Sequence, residues 1–142
     1  MADSGPLHYL ILLNCVDLLQ HFYGRVIVPS VVAGELSAES APTIVRDWIT
    51  SPPTWIDVLS VAPEDLATVT DDLDLGERAA IVLAETTHAD LLLIDEAAGR
   101  AEAKRRRPPR HRHAWSAQGW RRARTRRCSS AARTIEGDQL LR

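Results

Sequence analysis

The feature that most constrains this chain is the unbroken apolar run Leu91-Leu92-Leu93-Ile94, preceded by Asp90 and closed by Asp95-Glu96. A run this short, bounded by acids, suits a strand buried on both faces, the kind found in parallel sheets. In open α/β sheets the ligand crevice lies beyond the carboxyl ends of the strands, so an acid placed directly after such a run projects into it. Asp95 is therefore the first candidate functional residue.

The segment before it supports the same architecture. Asp74-Leu75-Gly76-Glu77 can cap a helix whose following residues, Ala79 to Ala84, are all apolar, and a helix with so little polar surface must be largely buried. Glu77 falls in its first turn. Two readings stand open for it at this point: a capping-box partner reaching back to an orphan backbone N–H, or a functional acid.

Charge divides the chain. Residues 1–100 hold 4 Arg or Lys against 16 Asp or Glu, whereas residues 101–142 hold 13 against 3. So abrupt a reversal marks a folded acidic part followed by a basic tail, or two segments of different origin. We place the boundary so that residues 1–105 form one α/β domain and residues 106–142 a basic, disordered or frameshifted tail. Cys15 and Cys128 are too few and too far apart for a disulfide framework and fit a reducing cytoplasm. The apolar run from Leu7 to Val16 has no basic leader, contains His8 and Asn14, and is well short of the roughly 20 residues that span a bilayer. Neither a signal peptide nor a membrane helix is expected.

Elsewhere the pattern alternates helix and strand. Ser4 or Gly5 can cap a helix with Pro6 in its first turn, and Leu7, Leu10, Ile11, Cys15, Leu18, Leu19 and Phe22 predict one broad core face ending near Tyr23-Gly24. Val26-Ile27-Val28 reads as a strand closed by Pro29, with Ser30 capping the next helix, which carries Glu35. A helix from Ala41-Pro42 is stopped by Ser51-Pro52-Pro53, a strand runs through Trp55 to Val61, and Pro63-Glu64-Asp65 opens a short helix. Trp48 and Trp55 are expected in or near the core. This order argues for a layered α/β domain with a mainly parallel sheet. If Asp3 ends a first strand, only Met1 and Ala2 precede it, so that strand is stunted or absent.

Asp3, Glu35, Glu77 and Asp95 lie far apart in sequence, yet each falls at a strand end or early in the following helix. They can converge on one crevice. Two carboxylates about 5 Å apart repel by roughly 3 kcal/mol at an effective dielectric near 20, so a cluster requires a cation, shared protons or bulk water. An all-oxygen set favours Mg²⁺ or Mn²⁺ over zinc, and such ions serve phosphoester hydrolysis. A nuclease or a phosphatase is implied.

The segments DSGPLHYLI, GRVIVPSVVAGEL, DLGERAAIVLAE and ADLLLIDE, in this order and spacing, resemble the PIN-domain proteins, and among them a VapC-like subgroup. The resemblance covers about residues 3–105. It implies a three-layer α/β/α domain with a mainly parallel central sheet, here with the first strand truncated and the last strand lost. It further implies an Mg²⁺- or Mn²⁺-dependent endoribonuclease of toxin type that hydrolyses RNA phosphodiester bonds, is neutralised by a cognate antitoxin, forms a homodimer and works in the cytoplasm. Carried onto this sequence, it makes Asp3, Glu35, Glu77 and Asp95 the catalytic, metal-binding acids, with Glu96 an accessory ligand and Ser4 orienting Asp3.

After Arg100 the family's helix and last core strand should follow, but the chain turns to KRRRPPRHRHAWSAQGWRRARTRRCSS. Pro108-Pro109 breaks any helix there, and the like charge reads as an extended tail. Such a tail could bind RNA phosphates, with Trp115 and Trp120 stacking on bases, or be a solvated arm. A third reading is a frameshift near Arg106, because Arg107 to Trp120 can be encoded so that the neighbouring frame gives GLRVTGTLGVLRAG. His111, His113 and Cys128 lack the spacing of a structural zinc site. The alternative to an enzyme is a non-catalytic PIN remnant that binds nucleic acid or antitoxin through its basic tail.

Overall fold

The computed structural model describes residue 2 and residues 4–106, and the fold below refers to these. Asp3 and the basic tail, with His111, His113, Trp115, Trp120 and Cys128, lie outside them. The elements in chain order are α1 (Ser4–Leu12), α2 (Asp17–Tyr23), β1 (Val26–Pro29), α3 (Ser30–Ser37), α4 (Thr43–Thr50), β2 (Ile56–Leu59), α5 (Pro63–Leu66), α6 (Leu75–Thr86) and α7 (Ala97–Arg106).

β1 and β2 pair in parallel, Val26 opposite Ile56 through Pro29 opposite Leu59. On the other side of β1, the Ala2 N–H donates to the Ile27 carbonyl at 3.1 Å, and Ala2 forms a parallel bridge with Leu93. The order across the sheet is therefore Leu93, Ala2, β1, β2. Among the described residues Ala2 is the one bridged member of the first strand. Within the run 91–94, where a full strand was expected, the bridge described is that of Leu93.

Successive residues on these segments point to opposite faces, and the core divides accordingly. Val26, Val28, Ile56 and Leu93 join one buried cluster with Leu7 and Ile11 of α1, Val32 and Leu36 of α3, and Val45 and Ile49 of α4. Leu92 and Ile94 join a second cluster with Ala80 to Leu83 of α6 and Ala103 of α7, against which Ile27 packs. Helices thus cover both faces of a small parallel sheet, giving the expected α/β/α layering. Trp55 is buried in the first cluster and Trp48 packs on it, with ring centroids 6.2 Å apart.

Two sequence expectations are corrected. The long helix expected from Leu7 to Phe22 is two helices, broken at Asn14, which takes φ 51°. The Cys15 N–H closes the end of α1 onto the Leu10 carbonyl at 2.9 Å, a stop that asparagine tolerates because its left-handed form costs little. The break rotates the second segment, so Phe22 is exposed instead of lying on the core face. At the other end, the basic run begins inside a helix. Lys104, Arg105 and Arg106 form the last turn of α7, where positive charge complements the helix dipole. Arg106 also bonds Glu85 of α6 through two nitrogens at 2.9 Å and donates to the Thr68 carbonyl at 2.7 Å. Among the described residues no helix is long and apolar enough to cross a membrane.

Candidate active site

The carboxyl ends of the extended segments hold the acids. β1 leads through Pro29 into α3, which carries Glu35 at the surface; the apolar run ends on exposed Asp95 and Glu96; and α6 begins beside them with Glu77 in its first turn. Ser4 is the first residue of α1, next to Asp3, which lies outside the described residues.

The start of α6 is fixed by Asp74, whose Oδ1 accepts the Glu77 N–H at 2.7 Å. This satisfies one orphan donor of the helix end. The Asp74 backbone N–H in turn faces the Glu77 carboxylate, so the capping box is partly formed. It does not account for the whole side chain. Glu77 is only 2 % exposed, and its Oε1 is buried without a hydrogen-bond partner. Burial, followed by the negative charges of Asp74, Glu96 and Asp95, pushes the Glu77 carboxyl above its ordinary value, against the opposing pull of the Asp74 N–H.

Three glycines let these carboxylates approach. A Cβ at Gly5 would lie 2.5 Å from Asp95 Oδ2, and one at Gly76 would meet Glu35 Oε1 and Asp74 Oδ1 at 3.3 Å. One at Gly99 in the first turn of α7 would collide with Glu77 Oε1. Arg100, one residue on, donates to the Asp95 backbone carbonyl and ties α7 to the end of the apolar run. Gly99 and Arg100 were not singled out from sequence, and Gly5, Asp74 and Gly76 were expected only in helix caps. Their signal was adjacency: each glycine stands within three residues of an acid in DSG, DLGE or DEAAG.

Glu35, Glu77, Asp95 and Glu96 are thus gathered around the starts of α6 and α7. They do not form a closed cage: among the described residues no three His, Cys, Asp or Glu side chains stand close enough to hold a metal ion. The donor chemistry nevertheless fits a hard divalent cation. The donors are all oxygen, one of them is buried and unpartnered, and the glycines leave the carboxylates room to adjust.

A family profile described as PIN domain matches residues 1–108. No curated protein and no solved structure matches the chain.

Proposed function

This chain belongs to the PIN-domain family, a nuclease family whose members generally depend on divalent metal, and we propose that it is an Mg²⁺- or Mn²⁺-dependent endoribonuclease of the VapC toxin type. The observation that carries this is the buried, unpartnered Oε1 of Glu77 among the carboxylates of Asp74, Asp95 and Glu96. A buried polar atom left without a partner costs roughly 1–3 kcal/mol, and a chain that keeps one at the mouth of its sheet keeps it for a ligand.

In this reading Asp3, Glu35, Glu77 and Asp95 hold the ion, with Glu96 accessory. A divalent ion in such a site supplies a nucleophilic water at neutral pH and charge stabilisation for the phosphodiester transition state. Glu77 enters as the carboxylate with the most to gain: cation binding favours its ionised form and reverses the upward push of burial. Gly5 lets the Asp95 carboxylate lie against the start of α1, and Arg100 fixes the backbone from which Asp95 projects. Asp74 positions Glu77 through the cap. RNA is the substrate class; an antitoxin and a homodimer belong to the same proposal. So does a shifted reading frame after about residue 106, which sequencing of the source DNA would test directly.

The test is cleavage of a mixed-sequence RNA with Mn²⁺, with excess chelator, and by Asp95→Asn. Cleavage lost in both of the latter supports the enzyme. Metal-independent RNA binding that weakens steeply with salt, without cleavage, would replace it with the tail-driven binding protein.

A further inference from the structure

One cation stands at the acids without an acid of its own. Half-buried Arg100 lies in the first turn of α7, next to the Gly99 that presses on Glu77. Its Nη1 donates to the Asp95 backbone carbonyl, and its main-chain N–H bonds the Glu96 carbonyl at 3.2 Å. Both contacts are to main chain. Among the described residues no carboxylate lies within ion-pair distance of its guanidinium, although Asp95 and Glu96 stand one turn before it. The neighbouring arginines are engaged: Arg78 holds Asp71, Arg105 holds Glu102 and Arg106 holds Glu85, while Arg25 holds Asp57 at the amino end of the sheet. A guanidinium carries five N–H donors in a rigid fork. With Nη1 on the Asp95 carbonyl, the Nε–Nη2 edge of Arg100 is left without a partner among the described residues.

A site built from Glu35, Glu77, Asp95 and Glu96 repels the substrate that the ribonuclease reading gives it. A phosphate charge about 6 Å from one uncompensated carboxylate is opposed by roughly 3 kcal/mol at an effective dielectric near 20, so a phosphodiester needs a positive group beside the acids. We propose that Arg100 is that group, a phosphate anchor whose free edge takes two non-bridging oxygens of the RNA phosphodiester presented to the acids. Paired N–H donors on two oxygens are the geometry in which arginine binds phosphate most strongly, and the bond to the Asp95 carbonyl holds the fork in place for it. The anchor rests on the ribonuclease reading and adds to it the residue that recognises the substrate's charge. It also fixes a sign. A cation beside the acids disfavours a metal ion and favours an anion, so its removal weakens RNA without weakening Mn²⁺.

The experiment uses the full chain, Arg100→Gln and Arg100→Lys, with two readouts: KM and kcat for cleavage of a short labelled RNA in Mn²⁺, and the rise in Tm that Mn²⁺ causes in the absence of RNA. The expected result for Arg100→Gln is a KM raised about tenfold or more with kcat within about threefold, and a Tm rise at least as large as that of the unmutated chain. The slope of log(kcat/KM) against log[salt] should become shallower by about 0.7, the contribution of one phosphate contact on a single strand. Arg100→Lys keeps the charge and loses the fork, so it should fall between the two, and it decides alone if Arg100→Gln shows no cooperative unfolding. An unchanged KM overturns the proposal. Loss of the Mn²⁺ rise together with cleavage overturns it as well, because Arg100 would then act only by holding Asp95 for the ion. An unmutated chain with neither cleavage nor a Mn²⁺ rise refutes the ribonuclease reading itself, and the anchor with it.

Discussion

Among the described residues two glutamates are buried, and they are opposites. Glu102 on α7 is 9 % exposed and holds Arg105 through two bonds, at 2.6 and 2.8 Å, so that its carboxyl lies below the ordinary value. Glu77 on α6 is 2 % exposed, has no cation beside it among the described residues, and has one oxygen without a partner, so that its carboxyl lies above the ordinary value. The first is a carboxylate whose burial the chain itself compensates. The second is left to something from outside. Burial of an acid is therefore not the functional signal; burial without compensation is.

The largest expected effect is on catalysis. Glu77→Gln and Asp95→Asn should each lower metal-dependent RNA cleavage by about 100-fold or more, whereas Glu102→Gln should leave the cleavage rate of the folded fraction within about twofold, since it loses only the ion pair with Arg105. Equal losses in all three would erase the distinction. Rates normalised to the folded fraction, read by circular dichroism, decide it.

Next in size is the effect of the ion on stability. At a Mn²⁺ concentration about 100 times its dissociation constant, the native state should gain about 2.7 kcal/mol, seen as a rise in Tm that Glu77→Gln reduces and Glu102→Gln does not. A shift of the same size in both variants would mean that the ion binds elsewhere.

Backbone room gives a third contrast. Gly99→Ala places a methyl group against Glu77 Oε1 and Ile94, and should destabilise the fold by about 1–3 kcal/mol in urea unfolding. Gly5→Ala meets first the movable carboxylate of Asp95, so it should reduce cleavage while barely moving the urea midpoint. The reverse ranking would show that Asp95 is held more rigidly than Glu77.

The smallest effect is in the pH dependence of stability, where the two acids oppose each other. Glu102, held low, contributes stability that is present above the ordinary carboxylate value and is lost as pH falls through its lowered one. Glu77, held high, carries no penalty below the ordinary value. The penalty grows as pH rises from there to the raised value and then stays constant. In metal-free solution Glu77→Gln should therefore flatten the decline of stability that begins above the ordinary carboxylate value, and Glu102→Gln should flatten the loss below it. Unfolding curves across that range, compared with the unmutated chain, would show both or neither.

Much of this was legible in the residues. The alternation of β1 across two clusters, the stop at Pro29, the buried body of α6 and its Asp74 cap all follow from local chemistry. What stayed hidden depends on contacts between distant segments. The break at Asn14 replaces an apolar periodicity that would equally allow one helix, and it decides whether Phe22 is core or surface. That Gly99 of α7 lies against Glu77 of α6 cannot be read from either stretch, because neither spacing nor propensity reports which helices cross. The capping pattern DLGE described half of Glu77; the other half, an oxygen with no partner, exists only once α7 is in place.

That contact couples a proton to a motion. With Gly99 pressed on its carboxyl, Glu77 can meet water freely only when the first turn of α7 lifts away, while Arg106 still pins the far end of the helix to Glu85 and Thr68. Opening restores an ordinary acid, so each rise in pH across the interval between its two values favours the lifted state, and a bound cation favours the closed one. In deuterium exchange, the amides at the start of α7 should thus lose protection with pH faster than those at its end, and Mn²⁺ should slow them.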